Sequence, residues 1–259
     1  MHRSVRRLVA AAVLSLALAA PASALADNYV ALGDSYSSGV GTNSYSLSSS
    51  CKRGVYAYPY LVSQQRPNTS LNFVACSGAT TTSLMASQIS AVNSGTNVVT
   101  VTIGGNDIGF ASLLVQCTLG SCGTALNNTR NALPGSLNSK LDTVYTAIKN
   151  QAAPGAQVVV LGYPRLFSSS GCLGTTGISS SERTAGNQLA DAVDSTIAAR
   201  AAAYGFTYKS AISSFTGHAV CSSSAWVNGL NIFNTTESFH PNRNGNSAGY
   251  LPLVRSVIG

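Results

Sequence analysis

Five short apolar runs recur along the chain, at Asn28–Leu32, Leu71–Ala75, Val98–Ile103, Val158–Leu161 and, more weakly, Phe206–Lys209. Each is rich in β-branched residues and stops near Gly, Ser or Pro. Unbroken apolar runs of this length suit strands covered on both faces. Stretches with helical patterning lie between them, at Tyr56–Gln65, Ser83–Val92, Leu137–Ala152, Ser181–Ala203 and Ser247–Val257. In the third, Leu137, Leu141, Val144, Tyr145 and Ile148 fall on one stripe. In the fourth, Leu189, Val193 and Ile197 step by four, and in the last Leu251, Val254 and Val257 step by three. This alternation predicts an α/β protein of three layers, α/β/α, around a mostly parallel five-stranded sheet with right-handed crossovers. Two stretches break the pattern. Gly109–Pro134 carries a close cysteine pair and many polar residues, and Phe167–Ser180 is rich in Ser and Gly. Both are expected to be long loops, each held by a disulfide. With no internal repeat and no evident linker, one domain is expected over residues 27–259.

The first 26 residues read as a signal peptide. Arg3, Arg6 and Arg7 precede an apolar run from Leu8 to Ala20, and Ala24-Leu25-Ala26 supplies an A-x-A cleavage site. The run is too short for a membrane span. The mature chain is then expected to begin at Asp27, and a retained anchor is the alternative. No later stretch is long and apolar enough to span a bilayer. Losing three arginines lowers the formal charge from +7 to +4. The remaining basic residues are scattered, which argues against a nucleic-acid surface.

Six cysteines follow, at positions 51, 76, 117, 122, 172 and 221. An even count in an exported chain reads as three disulfides, with about 15 possible pairings. Pairing in order of appearance is the simplest. Zinc is a weak rival: there is no C-x-x-C pair, and only His218 lies near a cysteine at ligand spacing.

The chemistry starts where the first run stops, in "YVALGDSYSSG". Ser35 follows the expected strand directly, and open α/β sheets place ligands beyond the carboxyl ends of their strands. A turn and helix N-cap at Gly33-Asp34-Ser35 is the bland reading. A serine nucleophile needs a base. Beyond the signal peptide only His218 and His240 are available; His218, beside Cys221, is expected to pack near a disulfide. His240 sits in "TESFHPN", three residues after Glu237, a carboxylate that can orient an imidazole. Acyl transfer also needs donors for the developing oxyanion. "CSGAT" and "TIGGNDIGF" end the second and third runs, and they offer the Gly78 amide and the Asn106 side chain. The Ser35 amide is the third donor. Asp34 and Asp107 are expected to bond loop amides. Ser37 and Ser38 are expected to start a helix.

Together, Gly33-Asp34-Ser35, Gly78, Gly104-Gly105-Asn106-Asp107 and Glu237-Ser238-Phe239-His240 resemble the four blocks of the SGNH hydrolases, also called the GDSL family. The match runs from Ser35 to His240. The extended first block, the six cysteines and the signal peptide are similar to the secreted actinobacterial lipases and phospholipases A1 of that family. The resemblance implies a flavodoxin-like SGNH hydrolase fold and a catalytic set of Ser35, His240 and Glu237. It also implies an oxyanion hole of Ser35, Gly78 and Asn106, no cofactor and no metal. In that branch the cysteines pair in order, which implies Cys51–Cys76, Cys117–Cys122 and Cys172–Cys221. The family's usual acid is Asp, and here it is Glu237. Some relatives work as a dyad with a backbone carbonyl holding the ring, a role open to Ser238 or Phe239. Ser35 stands in Gly-Asp-Ser-Tyr-Ser and not in Gly-x-Ser-x-Gly, which argues against the α/β-hydrolase elbow at this serine.

The reading is therefore a secreted, monomeric lipase or esterase that forms an acyl-enzyme on an ester or lipid substrate, with a lipid interface as a candidate place of action. A phospholipase A1 and an acetyl-carbohydrate esterase are alternatives on the same site, and a non-catalytic binding protein is the alternative of another class. The apolar "VNGLNIFN" (Val227–Asn234) is a candidate groove wall, with a core-packing loop as the other reading.

Overall fold

The five apolar runs become five parallel strands in a computed structural model that describes residues 27–259. They are β1 (Asp27–Gly33), β2 (Thr69–Phe73), β3 (Val98–Thr102), β4 (Gln157–Leu161) and β5 (Thr207–Lys209), in the order β2-β1-β3-β4-β5. Every neighbouring pair is parallel. The expected signal peptide lies outside the described residues. The central strands β1, β3 and β4 are buried almost throughout, whereas β2 and β5 form half-exposed edges. Only strands covered on both faces can be apolar at every position, so the runs are strongest at the centre. β2 ends two residues before the run that predicts it, because the Val74 and Ala75 amides both reach the Ala31 carbonyl and close the ladder.

The helices are α1 (Ser35–Ser38), α2 (Tyr58–Gln64), α3 (Thr81–Ser87), α4 (Phe110–Leu119), α5 (Gly123–Gln151), α6 (Ser180–Ala203), α7 (Ala211–Ser214) and α8 (Leu251–Ile258). α2 and α8 pack together on one face of the sheet, while α3, α5 and α6 pack as a group on the other. From β1 the chain first moves outward to β2, then crosses back to β3 and continues to β5. The order reverses at β1. Connections leaving β1 and β3 therefore diverge, and a crevice opens beyond the carboxyl ends of these two strands. Among the described residues no helix is long and apolar enough to cross a membrane.

Gly109–Pro134 is helical, against the expectation of a loop. It holds α4 and the first three turns of α5. Leu126 and Leu133 are buried on the same stripe as Leu137, Leu141 and Val144. Pro134 lies inside α5 and removes one helical hydrogen bond. It faces outward, where water can take the carbonyl left free. The long apolar stripe outweighs that loss and the weak propensity of the surrounding asparagines. Cys117–Cys122 clamps the corner between α4 and α5. Phe167–Ser180 is a loop with one short 3₁₀ turn, Leu173–Thr175, tied down by Cys172–Cys221. Cys51–Cys76 is the third bridge.

Candidate active site

Ser35 is the first residue of α1, immediately beyond β1. The chain turns at Gly33, whose φ is +127°. A Cβ there would lie 2.4 Å from the Thr102 carbonyl oxygen of β3, so only glycine lets the two strand ends come this close. Asp34 caps α1: its Oδ1 accepts from the Tyr36 amide at 3.0 Å and from the Thr102 hydroxyl at 2.9 Å. Its Oδ2 accepts from the Tyr163 hydroxyl. Burial pushes the Asp34 carboxyl up to about 6, against the pull of these donors. The Ser37 hydroxyl bonds Tyr58 and Thr102 and belongs to the supporting network.

His240 arrives from the loop after a 3₁₀ turn at Thr235–Glu237. Its Nε2 lies 2.7 Å from Ser35 Oγ, and its Nδ1 lies 2.9 Å from the Ser238 carbonyl oxygen. A carbonyl only accepts, so in the neutral ring Nδ1 carries the proton and Nε2 offers its lone pair to the serine hydroxyl. Burial pulls His240 down to about 4; the Ser238 carbonyl and the Glu237 charge oppose this. The ring is therefore neutral near pH 7 and able to take a proton. Tyr36, next to the serine, packs against the imidazole and donates its hydroxyl to the Phe239 carbonyl at 2.8 Å.

Glu237 does not hold the ring. Its buried carboxylate accepts from the Gly41 amide at 2.9 Å and from the Tyr45 hydroxyl. The loop carrying Gly41 brings these donors to the carboxylate, and Asn228 bridges the Gly41 and Glu237 carbonyls from the other side. The Ser238 carbonyl stands at the ring instead, one of the two backbone alternatives that the sequence left open beside this acid. Glu237 keeps only a through-space influence on His240.

The remaining groups come from the ends of β2 and β3. Gly78 has φ +78°, and a Cβ there would touch nothing within 4 Å. Backbone conformation selects the glycine. The preceding Ser77 amide bonds the Cys51 carbonyl, beside the disulfide. Asn106 Nδ2 donates to the Ala79 carbonyl at 2.9 Å, and Asp107 accepts from the Thr81 amide and hydroxyl at 2.9 and 2.6 Å. These bonds stitch the two strand-end loops together. Ser35, Gly78, Asn106 and His240 line one open groove, which Thr236 and Ser238 also border. Ser35, Asn106 and His240 also face a smaller pocket walled by Phe110, Leu114 and Leu166. The Ser35 hydroxyl sits where the two meet. A lone pair on a buried neutral base, a hydroxyl beside it and amide donors across a groove can carry out acyl transfer.

A sequence profile of the GDSL-like Lipase/Acylhydrolase family matches residues 31–248. The chain belongs to this family. It is a carboxylic ester hydrolase of the GDSL type, and its relatives are close. Lipase 1 of Streptomyces coelicolor is 46% identical over 258 residues, 96% of this chain and 94% of that protein. The crystal structure of an extracellular lipase from Streptomyces rimosus matches with a TM-score of 0.85 at 44% identity, covering 90% of this chain and 100% of that one. That of phospholipase A1 from Streptomyces albidoflavus NA297 matches at 0.84 and 43%, covering 90% and 99%.

In this GDSL hydrolase, His218 stands outside both the groove and the pocket. Its ring stacks on Trp226 at 3.6 Å between centroids, and its Nδ1 lies 2.7 Å from the Ser224 carbonyl oxygen. The segment Val227–Asn234 is not a groove wall. Val227 is buried, Ile232 and Phe233 point into solvent, and the adjoining Thr235 and Thr236 line the groove instead. Sequence reading missed Tyr163. Its hydroxyl donates to Asp34 and accepts from the Gly105 amide at 3.1 Å, joining the serine turn to the Asn106 loop. The only signal for it was its place just after the fourth apolar run. Gln88 was missed too; its amide pairs with both the N–H and the carbonyl of Gly33.

Proposed function

We propose that the mature chain, residues 27–259 after removal of a signal peptide, is a secreted, monomeric lipase that uses Ser35 and His240 as a catalytic dyad. One observation carries the reading: His240 places Nε2 2.7 Å from the Ser35 hydroxyl while the Ser238 carbonyl fixes the opposite nitrogen. His240 takes the Ser35 proton as Oγ attacks the ester carbonyl. The Ser35 and Gly78 amides and Asn106 Nδ2 receive the oxyanion. His240, now an imidazolium steadied by the Ser238 carbonyl, gives its proton to the departing alcohol. Water activated by the same nitrogen then releases the acid. Three disulfides support an oxidising destination. The extracellular lipase from Streptomyces rimosus, with which this chain shares 44% identity, supports the same address.

Hydrolysis of p-nitrophenyl esters by the wild type, Ser35→Ala and His240→Ala tests this reading. Both variants are expected to lose on the order of 10⁴-fold or more in kcat/KM. Undiminished turnover by Ser35→Ala would overturn it. The phospholipase A1 that is 43% identical favours a second reading, attack on the sn-1 ester of phospholipids. Mass spectrometry of the products from triacylglycerol and phosphatidylcholine presented together separates the two.

A further inference from the structure

Leu119, Leu173, Ile232 and Phe233 are 85%, 91%, 71% and 95% exposed. Scattered apolar side chains are ordinary on a surface, and a contiguous group is not. These four stand on three abutting segments. A Cβ on Gly177 would lie 2.4 Å from the carbonyl oxygen of Thr118, which places the end of α4 against the 173–177 turn. The backbones of Gly174 and Gly229 touch, and the Leu230 amide donates to the Gly174 carbonyl at 2.8 Å. The third segment continues into Thr235 and Thr236 on the groove wall, and the Asn231 amide donates to the hydroxyl of Ser238 at 2.9 Å. The apolar group is thus continuous with the groove's rim.

We propose that Leu119, Leu173, Ile232 and Phe233 form a docking surface that seats the mouth of the groove on an anionic phospholipid bilayer; this rests on the lipase reading above. The tip of the third segment suits immersion. The amides of Phe233 and Asn234 both donate to Asn231 Oδ1, at 3.1 and 3.0 Å, so neither N–H is stripped bare in an apolar medium. Charge completes the match. No acidic residue occurs in segments 117–122, 172–178 or 229–234. Arg183 reaches the second segment through the Ile178 carbonyl at 2.9 Å. The Glu182 carboxylate, which accepts from the Cys122 amide at 2.7 Å, is buried, whereas Arg183 is partly exposed, so the border that this pair presents to solvent is basic and suits a bilayer with anionic headgroups.

The test uses full-length mature protein and vesicles of phosphatidylcholine containing phosphatidylglycerol. Co-sedimentation is measured in a Ser35→Ala background, so that turnover does not alter the lipid. The double variant Ile232→Ser/Phe233→Ser is expected to bind about 10-fold or more weakly. With Ser35 intact, it is expected to lose as much activity on vesicle-borne ester while hydrolysing soluble p-nitrophenyl butyrate at the wild-type rate. Leu119→Ser/Leu173→Ser, on the two neighbouring segments, is expected to behave alike. Unchanged vesicle binding in both double variants overturns the proposal. So does an equal fall on both substrates, or sedimentation velocity showing that the patch is covered in a dimer. Failure of the lipase reading shows separately, as hydrolysis retained by Ser35→Ala.

Discussion

The imidazole of His240 has one polar partner on each nitrogen, and the two belong to different kinds of chemistry. Ser35 on Nε2 is a side chain, legible in the sequence once Gly78, Asn106 and His240 follow the Gly-Asp-Ser that ends the first apolar run. Ser238 on Nδ1 offers a main-chain carbonyl, a group that every residue carries, so only the course of the chain after Glu237 singles it out. Glu237, the residue that looked like the orienting acid, serves Gly41 and Tyr45. Glu237→Gln is therefore expected to keep kcat/KM within about 10-fold while losing roughly 1–3 kcal/mol of stability, read by chemical denaturation. His240→Ala is expected to keep the fold and lose activity. The pH dependence follows from two opposed shifts. His240 must be neutral to accept a proton, so kcat/KM on a soluble ester is expected to rise through about pH 4, well below the usual histidine value of 6.5. For stability, the unfolded chain protonates His240 between about 6.5 and 4 while the folded chain does not, so His240 makes stability rise with pH in that window. Asp34 does the reverse between 3.8 and about 6, where the folded state holds the extra proton. Asp34→Asn removes the opposing contribution. Its stability is expected to climb more steeply from pH 4 to 6 than that of the wild type, measured as the denaturation midpoint at each pH.

Among the elements, the strands were legible because burial on both faces leaves an unbroken apolar signature. Edge strands β2 and β5, half exposed, gave weaker or displaced signals. The first half of α5 was not legible. Pro134 and the asparagines before it carry local preferences that oppose a helix, and only contacts made after folding reverse them. The same helix supports the site from beneath. A Cβ placed on Gly104 would lie 3.2 Å from Leu137 Cδ1, so Leu137 packs directly under the turn that leads to Asn106. Leu137→Ala is expected to cost about 2–5 kcal/mol through the cavity it leaves. It is also expected to lower kcat more than it raises KM, as the Asn106 loop loses its floor.

Across the whole molecule, the three bridges close loops of very different size, with sequence separations of 25, 5 and 49. Chain entropy in the unfolded state gives the Cys172–Cys221 bridge the greatest effect, about 4 kcal/mol, and Cys117–Cys122 the least, about 2 kcal/mol. Replacing each pair by alanines and recording the melting temperature is expected to follow that order. The Cys51–Cys76 variant is expected to lose activity beyond its loss of stability, because the Ser77 amide beside Gly78 hangs on the Cys51 carbonyl. The hydrogen bond from Tyr36 to the Phe239 carbonyl joins positions 203 residues apart. Contacts so distant in sequence close late, after nearer ones have shortened the path between them. When the unfolded chain is returned to native conditions, the far-ultraviolet signal of the helices should therefore recover first. Ester hydrolysis should trail it, because the serine and its base begin at opposite ends of the chain.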